Sequence, residues 1–165
     1  NQEICTLAHG VIVMKILQIL SQRPDSTGSG YYIQNIIRLA EKAGHRNHLL
    51  AALPLGEEMQ PSALVSTTME FVRFSGGDLN YAMPGMSDVM PYPSSRFSEL
   101  SADQVGRYRD SFMERISEAV ETFKPDLIHS HHLWLVSSLA RLAATPDCED
   151  RADCGDCPEI WPASR

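Results

Sequence analysis

Residues 14–44, MKILQILSQRPDSTGSGYYIQNIIRLAEKAG, hold a strand, a small-residue turn and a helix in one stretch, and their reading decides the fold. Ile16, Leu17, Ile19 and Leu20 form a nearly unbroken apolar run. A parallel strand covered on both faces reads this way, whereas a half-exposed strand alternates. Ser26, Thr27, Gly28, Ser29 and Gly30 follow with small side chains and permissive backbone, so a ligand's charged group can approach the amides that open the next helix. The same residues also fit a tight strand-to-helix turn with no ligand. Beyond them Ile33, Ile36, Ile37 and Ala40 share one helical face, Arg38, Glu41 and Lys42 lie off it, and Gly44 is placed as a C-terminal stop.

One nucleotide-binding pattern is disfavoured and another excluded. Ile33 stands where the third glycine of a dinucleotide fingerprint belongs, and the next strand ends in Ala51, Ala52 and Leu53 without a ribose-binding acid. No Gly-Lys-Ser/Thr follows the glycines, which removes a phosphate loop of the Walker type.

The 165 residues suit one domain with a real core. A net charge of −7 and 14 scattered basic residues argue against a nucleic-acid surface. No apolar run approaches the roughly 20 residues that span a bilayer, so membrane contact is at most peripheral and a cytoplasmic location is expected, which includes the inner face of the membrane. Residues 1–13 lack the pattern of an export signal and read as an upstream extension, with Met14 as the expected natural start. Cys148, Cys154 and Cys157 are spaced C-x5-C-x2-C and Cys5 stands apart, one ligand short of a paired zinc set, so no metal is expected.

Further along, His45–Leu53 reads as a second strand carrying Leu49, Leu50 and Leu53. Residues 69–74, MEFVRF, read as a peripheral strand with Met69, Phe71 and Phe74 set against Glu70, Val72 and Arg73. The segment Ser75–Leu100 is broken by glycines and prolines yet holds Tyr81, Met83, Met86, Met90, Tyr92 and Phe97. Disordered chain is poor in aromatics, so this is either an ordered substrate-facing loop or a flap packed on the core. Ser101, Asp103 and Gln104 mark a helix start with a capping box, and Tyr108, Phe112, Ile116, Ala119, Val120 and Phe123 make its apolar stripe up to Lys124-Pro125. A short strand at Asp126–Ser130 and a helical pattern over Leu133–Ala144 follow. The order β-α-β, β, loop, α-β-α predicts a Rossmann-like, doubly wound parallel sheet over residues 14–144, with a divergent or disordered tail over residues 145–165.

His129, His131 and His132 fall where the fourth strand runs out, the edge at which open α/β sheets bind ligands. With period-two geometry His129 and His131 share a face and His132 takes the other. His129 is expected to be buried against backbone, His132 to face solvent, and His131 to be the functional residue.

The opening MKILQIL, the loop with Gly28 and Gly30, the helix closing on AEKAGH and the later KPDLIHSHHLW together resemble the amino-terminal domain of GT-B glycosyltransferases of family four. The resemblance covers residues 14–144. It implies retaining transfer of a sugar from a nucleotide-sugar donor to an acceptor hydroxyl of a glycan, lipid or small molecule, without a metal or other cofactor. Gly28, Ser29 and Gly30 would face the donor pyrophosphate, His131 would lie near the transferred sugar, and Tyr81, Met86, Tyr92 and Arg96 would belong to the acceptor-side loop. The family continues past this point with a further strand and a second Rossmann domain. Here TPDCEDRADCGDCPEIWPASR stands instead, read as a truncated or frame-shifted end or a divergent tail, so the chain alone is expected to be inactive. A non-catalytic Rossmann-like binding module is the alternative. A nucleotide-dependent oxidoreductase or epimerase is disfavoured by the missing glycine fingerprint and the missing Tyr-x-x-x-Lys pair.

Overall fold

The computed structural model describes residues 12–59, 64, 66–132 and 134–145. Its elements run β1 (Lys15–Leu20), α1 (Gly28–Lys42), β2 (Arg46–Pro54), β3 (Thr68–Phe74), a 3-10 turn at Phe97–Glu99, α2 (Ala102–Phe123), β4 (Leu127–His131) and α3 (Leu135–Ala144). The four strands form one all-parallel sheet in the order β3-β2-β1-β4, a Rossmann-like α/β arrangement.

The apolar run of β1 earns its central place by burial on both faces. Leu17 and Ile19 point to a core built with Leu50, Ala52, Val72 and Phe74 of the sheet, Tyr108, Phe112, Ile116 and Ala119 of α2, and Val136, Leu139 and Ala140 of α3. Leu20 points the other way, into a smaller core with Leu49, Ala51 and the α1 residues Ile33 and Ile37. Helices therefore cover both faces, as right-handed crossovers require when the chain first steps from β1 to β2 and β3 and then returns to the opposite side of β1.

Local signals hold where the chemistry of a cap is involved. Ser101 Oγ accepts from Gln104 N–H at 3.2 Å while Gln104 Oε1 accepts from Ser101 N–H at 2.9 Å, the reciprocal pair expected. Helix α2 ends on Lys124 in the left-handed region, φ 51°, directly before Pro125. Gly44, at φ 86°, closes α1 in a conformation that disfavours a side chain.

Several expectations are corrected. Strict alternation in β3 sends Phe74 with Val72 into the α2 core and leaves Met69 and Phe71 against the α1 core, with the Arg73 guanidinium 5.0 Å from the Phe71 ring. Phe74 therefore does not share a face with Met69 and Phe71. Phe123 at the end of α2 is half-buried, tilted against His48 at 5.5 Å. Leu142 lies on the wet side of α3, 37% exposed, because α3 buries Val136, Leu139 and Ala140 instead. Residues 1–11 and 146–165, and with them most of the expected extension and tail and all four cysteines, lie outside the described residues.

The α2 stripe dominates the larger core. Phe112 is fully buried, so Phe112→Ala is expected to cost about 3–5 kcal/mol through lost transfer energy and a residual cavity. Removing the cap by Ser101→Ala is expected to cost about 1 kcal/mol. Urea unfolding reads both, as a lower midpoint at an unchanged slope.

Candidate functional site

Strand order reverses at β1, so the carboxyl ends of β1 and β4 diverge into their two crossovers, the place at which open α/β sheets form a ligand crevice. Leu20 pairs with His131 at this edge, and the next residues, Ser21 and Gln22, remain buried although they have left the strand. On the other side Thr27 caps α1: its Oγ1 accepts from Gly30 N–H at 3.0 Å and donates to Arg23 O at 3.0 Å. Ser29 Oγ donates to Gln22 Oε1 at 3.2 Å, tying the helix start to the end of β1. Gln22 Nε2 is left buried without a partner.

The two glycines of the turn play different parts. A Cβ on Gly30 would lie 2.6 Å from both the carbonyl carbon and the oxygen of Pro24, so Gly30 is required for the Arg23-Pro24 backbone to fold over the helix start. A Cβ on Gly28 would meet nothing within 4 Å, so the approach to the amides there is open. Arg23, the cation of this turn, is committed to Asp25 through two bonds of 3.0 and 3.1 Å and also reaches Glu57. The guanidinium holds the Asp25 carboxyl below its usual range.

At the β4 side, His129 and His131 do share a face, with ring centroids 4.4 Å apart. Their burial differs from expectation. His131 is the buried one, 7% exposed, with Tyr32 of α1 edge-on at 5.7 Å and its Nε2 unpartnered. The His129 side chain is half-buried and makes no hydrogen bond among the described residues. His132 does not face solvent freely: it is half-buried with its Nδ1 enclosed and its backbone left-handed at φ 67°. Burial, followed by the neighbouring His129 and His132, pushes the His131 pKa down to about 4. Its imidazole is thus neutral near pH 7 and suited to hydrogen bonding rather than to carrying charge. The same sheet face holds Gln18 and Asn47, joined Nε2 to Oδ1 at 3.4 Å, each with a further polar atom unpaired.

The loop 75–100 folds back on itself, with Gly85 N–H donating to Ser95 O and Ser95 N–H to Met83 O. Leu79, Met83 and Tyr92 enter the α2 core, and Tyr81, Met90 and Phe97 pack on its margin. Tyr81 donates to Gln104 O at 2.7 Å and stands edge-on to Phe74, so it faces the interior. Burial lifts the Tyr81 and Tyr92 phenols to about 12. Tyr92 reaches the β1-α1 turn, its ring 5.9 Å from the Arg23 guanidinium. Met86 is partly open at 40% exposure, and Arg96 is an exposed side chain paired with Asp88 at 3.2 Å and Glu99 at 3.9 Å. Of the loop residues singled out from sequence, Tyr92 thus meets the glycine turn and Tyr81 does not.

Gln22 and Trp134 were not singled out from sequence. A buried glutamine beyond a strand has no sequence mark, while the tryptophan beside three histidines was a signal open to use. Among the described residues no group of three or more His, Cys, Asp or Glu side chains is placed to hold a metal, and no helix is long and apolar enough to cross a membrane. A scan of family models gives no match, and a search of curated proteins gives none either.

Two outcomes follow from this geometry. Gly30→Ala should lower stability by about 1–3 kcal/mol as the Pro24 backbone is displaced, while Gly28→Ala stays within about 0.5 kcal/mol, both read by thermal or urea unfolding. His131 has a lower pKa in the fold than its ordinary 6.5, so between these values the unfolded chain binds the proton and the fold does not. Its contribution is complete above about pH 6.5 and is lost as pH falls toward 4. His48 and His132, also lowered, act in the same direction. Unfolding measured across pH 4–7 should therefore show stability falling on acidification, and His131→Gln should flatten that slope.

Proposed function

We propose that the chain is the amino-terminal, acceptor-side domain of a retaining glycosyltransferase that uses a nucleotide-sugar donor. The observation that supports this most is the convergence of the small-residue turn and His131 on the two sides of the crevice where strand order reverses. Open α/β sheets bind their ligands at this place. The motif resemblance, from MKILQIL to KPDLIHSHHLW, supplies the activity.

In this reading the open helix start at Gly28 and Ser29 receives the negative charge that grows on the leaving diphosphate. Arg23 does not, since Asp25 and Glu57 occupy it. A neutral His131 hydrogen-bonds a hydroxyl of the transferred sugar through the unpartnered Nε2 and orients the ring. It is not the source of a proton at neutral pH. A second Rossmann-type domain is needed to hold the donor nucleotide, and the protein works on the cytoplasmic side with at most peripheral membrane contact.

The low pKa of His131 also fits the second reading, a Rossmann-like module that binds a ligand without chemistry. Sugar transfer and donor hydrolysis from UDP-, GDP- and ADP-linked hexoses separate the two, measured on the chain alone and joined to a second nucleotide-sugar-binding domain. His131→Ala is expected to lower turnover by about ten- to a hundredfold, the cost of an unpaired buried polar partner, with the fold intact. His132→Ala serves as the control. Gly30→Val is unsuited to this test because its Cβ collides with Pro24, so the open Gly28 is the position to vary. Absence of transfer and hydrolysis in the joined form overturns the enzymatic reading.

A further inference from the structure

A ladder of aromatic rings leads from the larger core to the rim of the crevice. Phe112 lies 4.7 Å from Tyr108, Tyr108 5.6 Å from Phe97, and Phe97 5.8 Å from Trp134. Exposure rises along it, from buried Phe112 and Tyr108 to Trp134, which is 50% exposed. The indole is thus half in water at the sheet's carboxyl edge, with one side braced by a ring and the other free to meet a ligand.

The backbone beneath the indole is fixed. His132 sits at φ 67°, a conformation that costs energy for a residue with a side chain and persists where the surroundings enforce it. Here Trp134 N–H donates to His132 O at 2.8 Å, Ser137 Oγ donates to the same oxygen at 2.6 Å, and Ser130 Oγ donates to Ser137 Oγ at 2.9 Å. Strand β4 and helix α3 thus clamp the turn that presents the ring. Enclosed beside it is the unpartnered Nδ1 of His132.

We propose that Trp134, braced by Phe97, is a stacking platform for a neutral pyranose ring of the acceptor, and so a specificity residue of this crevice. The assignment of the pyranose to an acceptor rests on the glycosyltransferase reading above. The C–H face of a pyranose carries partial positive charge and suits the negative face of an indole. The surrounding charge selects against a nucleotide at this spot. Phe97 stands between Arg96 and Glu99 in the chain, and Arg96 is already shared by Asp88 and Glu99, so this cluster has one more negative charge than positive. A diphosphate attached to a stacked base would be repelled there.

The test uses the full chain with Trp161→Phe, which leaves Trp134 as its single tryptophan. Its fluorescence is titrated with methyl α-glucopyranoside, maltose and cellobiose, and with UDP and GDP. Saccharide contact is also followed by saturation-transfer NMR in the wild type, Trp134→Ala and Trp134→Phe. Saturable change with at least one saccharide is expected, weakened about five- to tenfold in Trp134→Ala and largely kept in Trp134→Phe. Circular dichroism should be the same for all three, since the ring is outside the core. No change with any saccharide, equal binding by Trp134→Ala, or a response to UDP and GDP alone overturns the platform. Saccharide binding at Trp134, with neither transfer nor hydrolysis of a donor sugar by the form joined to a second nucleotide-sugar-binding domain, upholds the platform while removing the glycosyltransferase reading.

Discussion

Strand β1 is the constraint on which the rest of the molecule depends. It hydrogen-bonds to β2 on one side and β4 on the other, and five of its six residues are buried. A buried polar side chain there is costly without a partner, and Gln18 is met by Asn47 of the neighbouring strand. Two helices lie on one face and one on the other because the apolar residues of β1 demand cover on both. The reversal of strand order at β1 is a result of that same demand. It also opens the crevice, so the packing of the fold and the position of the candidate site have one origin.

The three histidines show how place decides chemistry. They fall within four positions of one another, yet the enclosed one is His131, edge-on to Tyr32 and beside His129. Desolvation removes its charge, and its buried Nε2 is left without a partner. His132, one residue on, belongs to the turn whose backbone carries Trp134. The glycines divide in the same manner. Gly30 makes room for the Pro24 backbone and Gly28 leaves the helix start open, though either reads as a ligand-facing glycine in sequence.

The loop 75–100 joins the core to the rim. Leu79, Met83 and Tyr92 are enclosed by packing, while the turn at its end sets Phe97 between Tyr108 and Trp134. A flap packed on the core and a substrate-facing loop were opposed alternatives in sequence, and the packing of Leu79, Met83 and Tyr92 is that of the flap.

The sequence by itself determined the α/β class, the order of the elements, the central place of β1 and the peripheral place of β3, and both ends of α2. These depend on hydrophobic period, capping side chains and the conformational preferences of glycine and proline, which act over a few residues. Tertiary structure alone decided which histidine is buried, which glycine meets backbone, that Phe74 turns toward α2, and that Phe97 and Trp134, 37 residues apart in number, become neighbours. Burial and ring contact are set by what packs across the sheet, and a sequence read along its length carries no distance between such partners.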